Sequence, residues 1–363
     1  MIRVILKPEK EKPLRAFHPW VFSGAIDRLD DGFKSGSMVR VLSSREEFLG
    51  IGYLNPRSQI AVRMLTFKDE LIDQTFFEQR LLDAKHLRDR FLSPEINACR
   101  LVHSEGDFLP GLILDRYGDY LVVQFLTVGM EVLKPIILDA IKVVFPAKGV
   151  YEHSNESMRR LESGSGRHSS EKEPDDTEKP ILAKLYGEDV PEYIEIEEYS
   201  HRFLVDLKHG QKTGFFLDQR ENRKMVSDYA KGKKILNCFA YTGGFSIYAA
   251  KAGAASVMSV EIQERALNMM KSNFELNGLT GESYRFACED VFQFLRKDPE
   301  LYDCIILDPP AFCKNAAQIN QAARGYKDIN LFAMKRLVSG GLLFTCSCSS
   351  YITPDLFQKI RLI

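Results

Sequence analysis

Two segments carry residue types that could do covalent chemistry: Asp308-Pro309-Pro310-Ala311-Phe312 and, further along, Phe344-Thr345-Cys346-Ser347-Cys348-Ser349. An acid that can hydrogen-bond a nucleobase, beside a thiol that can attack it, is what methylation of carbon 5 of a pyrimidine requires. C5 of cytosine is a poor nucleophile. A thiolate adding at C6 turns the ring into an enamine that reacts at C5, and the acid stabilises charge developing on the ring. Of the two candidate thiols, Cys346 lies in line with an apolar run, where cysteine is usually an inert small hydrophobe. Cys348 falls in the loop beyond it and is the expected nucleophile, with Asp308 as its acid. Cys313 is expected to be a bystander, and Cys99, Cys238, Cys288 and Cys304 structural.

Both segments close β-prone runs. From about Ile194 the chain alternates strand runs (234–239, 256–261, 284–287, 303–307, 342–346) with helical ones, notably 263–277. That rhythm predicts an α/β fold with a parallel, doubly wound sheet, which binds ligands at the carboxyl ends of its strands. On successive ends stand Phe239 with Thr242-Gly243-Gly244, then Glu261, Asp290 and Asp308. Glycines admit close approach to a ligand, and a carboxylate at the second strand end suits ribose hydroxyls. Phosphate-binding loops of the G-x-x-x-x-G-K-[ST] or G-x-G-x-x-G kind are missing. An adenosyl ligand without phosphates, S-adenosylmethionine, is therefore the expected cofactor, with Asp290 accepting from the adenine amino group. Lys212 or Thr213, in the polar stretch 209–223, are expected at the methionine carboxylate, with a capped helix start as the competing reading. Pro309, Pro310, Phe312 and Arg220 are expected to shape the substrate pocket.

Residues 1 to about 68 read as a small β-barrel of short alternating runs. Lys7, Lys10, Lys12 and Arg15 interleave with Phe17, His18, Trp20 and Phe22, either as an RNA-facing surface or as core and solubilising residues. A helix is predicted over 73–92, capped by Asp73, with Phe77, Leu81, Ala84 and Phe91 on its apolar face. Short strands and a helix near 130–144 follow. The segment 154–179, rich in Ser, Gly, Glu and Asp, is expected to be an exposed insertion.

The 363 residues are 45% apolar and 27% charged with net charge −1, an ordinary globular composition. The 14 acidic and 6 basic residues between 151 and 200 leave the remainder at +7, compatible with a polyanionic partner. No apolar run approaches the ~18 residues of a membrane span, and the N-terminus lacks a signal-peptide core. Seven cysteines without a Cys-x-x-Cys pair favour neither disulfides nor a metal site, and so point to a reducing cytoplasm. No membrane partner is expected.

Several segments together resemble the bacterial 23S rRNA cytosine-5 methyltransferases: His18-Pro19-Trp20-Val21-Phe22, Val102 to Asp107 with Leu109 to Leu112, Gly210 to Arg223, Tyr241 to Ser246, Asp308 to Phe312, and Ser347-Cys348-Ser349 with Asp355 to Ile360. The resemblance implies a PUA-like RNA-binding domain over 1–70, a small α/β linking domain over 71–193, and a Rossmann-like class I methyltransferase domain over 194–363. It implies that Cys348 is the nucleophile, that Asp308 contacts the base, and that 23S rRNA is the partner. The oligomeric state stays open, a homodimer included. Two departures stand out. The 154–179 segment is longer than the family's usual connection. Class I sheets also continue through two further strands, whereas this sequence ends at Ile363, so the domain is expected to be cut short, with an exposed edge and consequences for activity and stability. A guanine or adenine methylase on the same scaffold, a non-catalytic RNA-binding protein and a nicotinamide dehydrogenase are the competing readings.

Overall fold

The computed structural model describes residues 1–154 and 181–361. Residues 155–179 of the Ser- and acid-rich segment therefore lie outside the described residues. The chain divides into two compact units, 1–199 with 205–217, and 200–204 with 218–363.

The first unit holds two sheets. Strands β1 (Ile2–Leu6), β2 (Trp20–Phe22), β3 (Ile26–Leu29), β4 (Met38–Leu42), β5 (Phe48–Leu54) and β6 (Ile60–Thr66) form one in the order β2-β6-β5-β4-β1-β3. Alternating apolar residues of these strands, among them Val4, Leu6, Val39, Val41, Val62 and Met64, close over a common core. Strands β7 (Ala98–His103), β8 (Leu112–Tyr117), β9 (Tyr120–Phe125), β10 (Gly149–Ser154) and β11 (Ile181–Gly187) form the second, in the order β11-β10-β9-β8-β7. Helices Gln74–Phe91 and Val128–Val144 share a buried core with this sheet. Asp73 caps the first of them as expected, its Oδ1 accepting from Phe76 N at 3.0 Å. Phe77, Leu81 and Ala84 are buried, but Phe91, at the final position of the helix, is 77% exposed and leaves the predicted apolar face. Tyr53 joins the two sheets: fully buried, its hydroxyl donates to Pro110 O (2.7 Å) and meets Thr127 Oγ1 (2.8 Å).

Strands β12 (Ile194–Glu198) and β13 (His201–Val205) come next in the chain, and the second unit is built on strands β14 (Lys234–Cys238), β15 (Ser256–Glu261), β16 (Tyr284–Cys288), β17 (Tyr302–Leu307) and β18 (Leu337–Thr345). All pair in parallel, in the order β16-β15-β14-β17-β18. Strand β18 begins earlier than its apolar run suggested. The register slips between Tyr302 and Cys304, opposite a stretch that includes Gly340 at φ +78°. The chain builds β14, β15 and β16 outward on one side, then returns to lay β17 against the other side of β14. The topological switch point therefore falls between β14 and β17. Among the described residues no helix is long and apolar enough to cross a membrane.

One surface ion cluster in this sheet makes a testable contribution. Arg285 on β16 donates to both oxygens of Glu300 (2.8 and 2.9 Å), and Lys234 on β14 reaches the same carboxylate. These partners hold the Glu300 carboxyl down at about 2. A depressed carboxyl stabilises above its unfolded value and loses that contribution as pH falls. The gap in melting temperature between the natural chain and a Glu300→Gln variant should close as the pH falls from about 4.5 towards 2. A gap that stays constant across that window would refute the assignment.

Candidate active site

The β14 tip is the most constrained backbone of the second unit. Phe239 (φ +58°) and Tyr241 (φ +48°) both occupy the left-handed region, as does Gly243 (φ +87°). Non-glycine residues rarely accept this conformation, and such clusters mark sites where geometry is held for function. The loop is held by Glu261 at the end of β15, whose Oε2 accepts from Tyr241 N (2.8 Å) while Oε1 accepts from Gln263 N (2.9 Å). Asn273, fully buried, steadies it from behind: Nδ2 donates to Thr242 O (3.0 Å) and Oδ1 accepts from Leu204 N (2.7 Å) on β13 (His201–Val205). A Cβ on Gly243 would sit 2.5 Å from the Met270 side chain, so this position requires glycine twice over. Gly244 begins the helix Gly244–Lys251.

Asp290 sits at the end of β16, where Oδ1 caps the helix Val291–Lys297 through Gln293 N at 3.0 Å. Across the switch point, Asp308 at the end of β17 accepts from Gln219 Nε2 at 3.0 Å, and Asn222 Nδ2 in turn donates to Gln219 Oε1. Gln219 was not singled out from sequence. It lies within the polar stretch 209–223, but its distance in sequence from Asp308 left no local signal for the pairing. The next tip, beyond β18, is stitched to the Asp308 loop. Cys346 N donates to Leu307 O (2.8 Å), Cys348 Sγ approaches Pro309 O (3.5 Å), and Ser349 Oγ accepts from Cys313 N (3.1 Å).

The thiols differ in exposure. Cys348 is exposed, while Cys346 is only partly so. Burial, reinforced by the Asp308 carboxylate and opposed by Gln219, pushes the Cys346 thiol up to about 12, so at neutral pH it is not a thiolate. Burial likewise raises Cys304 to about 12 and moves Cys238 upward. Cys313 is buried with Sγ donating to Asn315 O (3.2 Å). Cys288 is exposed rather than enclosed in its strand.

The parallel sheet thus brings Phe239, Thr242-Gly243-Gly244, Glu261, Asp290, Asp308 to Phe312 and Cys348 to one edge. Phe312 lies among Phe239 (6.4 Å between ring centroids), Phe292 (5.8 Å) and Tyr326 (4.7 Å). Arg220 is 8% exposed at the first position of helix Arg220–Asp228. Lys212 and Thr213 fold with the first unit. Thr213 is buried there, its Oγ1 donating to Asp115 Oδ2 (2.6 Å) and meeting the Tyr117 hydroxyl (2.7 Å). The Lys212 ammonium lies over the Phe216 ring at 4.6 Å.

This edge fits an adenosyl ligand. Glu261 is a carboxylate at the second strand end, and Thr242 Oγ1 is buried without a hydrogen-bond partner among the described residues. A buried polar atom left so is costly unless something fills the place. Residues 164–361 match the S-adenosylmethionine-dependent methyltransferase family. The chain belongs to this family. Its cofactor is S-adenosylmethionine. Residues 4–67 match a PUA-like domain, in line with the strand-rich N-terminus. Among curated relatives, the ribosomal RNA large subunit methyltransferase I of Tolumonas auensis is 42% identical over 98% of this chain and 88% of its own length. That of Escherichia coli is 38% identical over 99% and 88%. A SAM-dependent methyltransferase structure from Streptococcus mutans superimposes with a TM-score of 0.79 at 26% identity, over 99% of this chain and 89% of that one. Another, described as a methyltransferase complexed with SAH, gives 0.81 at 27% over the same shares. For this methyltransferase, the parallel order of the sheet explains why residues so scattered in sequence share one edge.

Proposed function

We propose that this methyltransferase acts on large-subunit (23S) rRNA and forms 5-methylcytidine through a covalent bond between Cys348 and C6 of the base. The observation that carries the reading is the exposed Cys348 held against the Asp308-Pro309-Pro310 tip, its Sγ 3.5 Å from Pro309 O. The RNA substrate is supported by the names of the relatives and by the PUA-like segment.

S-adenosylmethionine, when bound, supplies a methyl group activated on a sulfonium. Glu261 and Asp290 stand at strand ends suited to its ribose and adenine, and the Thr242-Gly243-Gly244 turn to its close approach. Cys348, as thiolate, adds to C6 and gives C5 its nucleophilic character. Asp308, oriented by Gln219, holds a proton shared with the ring nitrogen and stabilises the charge that attack develops there. Once C5 is methylated, a base removes its remaining proton, the C5–C6 double bond re-forms and the Cys348–C6 bond breaks. Pro309, Pro310, Phe312 and Arg220 bound the pocket into which the base must turn out of its stack. A ribosomal substrate and seven free cysteines suit a reducing cytoplasm.

The test is transfer from labelled S-adenosylmethionine to unmodified large-subunit rRNA, with nucleosides identified by mass spectrometry. 5-Methylcytidine is expected. A methylated guanosine or adenosine instead would remove the need for a thiol and overturn the mechanism.

A further inference from the structure

Tyr326 touches both catalytic tips: its hydroxyl meets Ser347 and Ser349, and its ring packs against Phe312. Helix Ile319–Lys335 buries Ala322, Tyr326, Ile329 and Ala333 at helical spacing, the pattern of a core-facing stripe. On that stripe a phenylalanine would fill the same space, whereas a tyrosine must bury a hydroxyl, which costs free energy unless it is hydrogen-bonded. Tyr326 is fully buried, and its hydroxyl is met by the two residues that flank Cys348. Ser347 Oγ donates to it at 3.1 Å, and Ser349 Oγ lies 2.9 Å away. Ser349 Oγ also accepts from Cys313 N (3.1 Å), on the loop that carries Asp308 and Phe312. Ser349 N completes the turn, donating to Ser347 Oγ at 3.4 Å. The ring of Tyr326 meanwhile packs against Phe312 (4.7 Å) and Phe357 (5.4 Å). Gly325 lets Phe312 in, since a Cβ there would lie 3.3 Å from that ring.

We propose that the Tyr326 hydroxyl is a positioning group for the reaction, fixing the Ser347-Cys348-Ser349 turn relative to the Asp308 to Cys313 loop so that sulfur and acid face one base together. The inference rests on Cys348 being the nucleophile. A serine on each side of an exposed cysteine leaves the sulfur itself accessible while its backbone is held from both sides. Reaction rate is sensitive to such placement: a displacement near 1 Å at the reacting atoms costs about 10²-fold. The hydroxyl touches neither Glu261 nor the β14 loop in any contact described above, so cofactor binding should not depend on it.

Tyr326→Phe keeps the ring and removes only the hydroxyl. Methyl transfer to unmodified large-subunit rRNA should slow by roughly 10- to 100-fold in kcat, with KM for the RNA and calorimetric affinity for S-adenosylmethionine unchanged. In the free enzyme, amide exchange should quicken in 346–350 and 311–314 and not around 239–244. Ser349→Ala, which cuts the same network from the loop side, should give a similar kcat loss. The double variant should then be no worse than either single one, because all three remove one unit. A kcat left at the natural level in both single variants, with only the melting temperature lowered, would make Tyr326 a structural residue and overturn the proposal. Cys348→Ala run in parallel separates the two readings. If that variant still turns over, the thiol mechanism itself has failed. If it is inactive while Tyr326→Phe is fully active, the positioning role alone has failed.

Discussion

Cys348→Ala should lower kcat for methyl transfer by on the order of 10⁴-fold or more, the scale on which removal of a covalent nucleophile acts, while S-adenosylmethionine binds as before. The size of the effect follows from the absence of a substitute beside the Asp308 tip: Cys288, the other exposed thiol, lies at the end of β16, three strands from β17. Cys346, the nearest thiol in sequence, is desolvated and raised to about 12, and its backbone N–H is committed to Leu307 O in the β17–β18 ladder. Cys313 is buried with its Sγ turned to Asn315 O. Without a sulfur adding at C6, C5 of cytosine keeps its low intrinsic nucleophilicity, and a correctly bound cofactor cannot compensate. Single-turnover transfer to large-subunit rRNA, with calorimetric titration of the cofactor alongside, makes the measurement. A Cys348→Ala enzyme that methylates cytosine at even a tenth of the natural rate would exclude covalent catalysis.

Replacing Asp308 by Asn should cost roughly 10²- to 10⁴-fold in kcat, the range for a lost general acid–base group, and affinity for S-adenosylmethionine should fall far less. Asn preserves the shape of the side chain and leaves Gln219 Nε2 an oxygen to donate to, so packing is retained and only the proton-holding capacity is removed. Gln219→Leu provides the graded companion. It leaves the carboxylate in place but strips away the donor at 3.0 Å that orients it and that also opposes the raised Cys346 thiol. Its kcat should fall less than that of Asp308→Asn. An Asp308→Asn variant with unchanged kcat and weakened cofactor binding would reassign Asp308 to the cofactor alone.

Much of this arrangement was legible in the sequence because it depends on local pattern. Alternation of strand and helix runs fixes a parallel sheet, and a parallel sheet sends every strand end to one edge. The strand–helix pattern therefore groups Gly243-Gly244, Glu261, Asp290, Asp308 and Cys348 by itself. The helix cap at Asp73 is equally local, a side chain accepting from a backbone group three residues on. The preference for Cys348 over Cys346 also followed from position, one in line with the strand and one beyond it.

What the sequence could not supply was contact between residues far apart in the chain. The Gln219–Asp308 hydrogen bond spans 89 positions, and the Tyr326 hydroxyl reaches Ser347 and Ser349 from 21 and 23 positions away. In sequence Tyr326 is only another large residue on an amphipathic helix. The left-handed backbone at Phe239 and Tyr241 was equally invisible, because neither residue type favours it and the Glu261 carboxylate that holds Tyr241 arrives from another strand. Thr213 is buried against Asp115 and Tyr117, partners nearly a hundred residues earlier. Composition and periodicity decide which side chains face a core and where strands end. Which buried polar groups satisfy one another is decided only when folding removes water and brings distant donors and acceptors together.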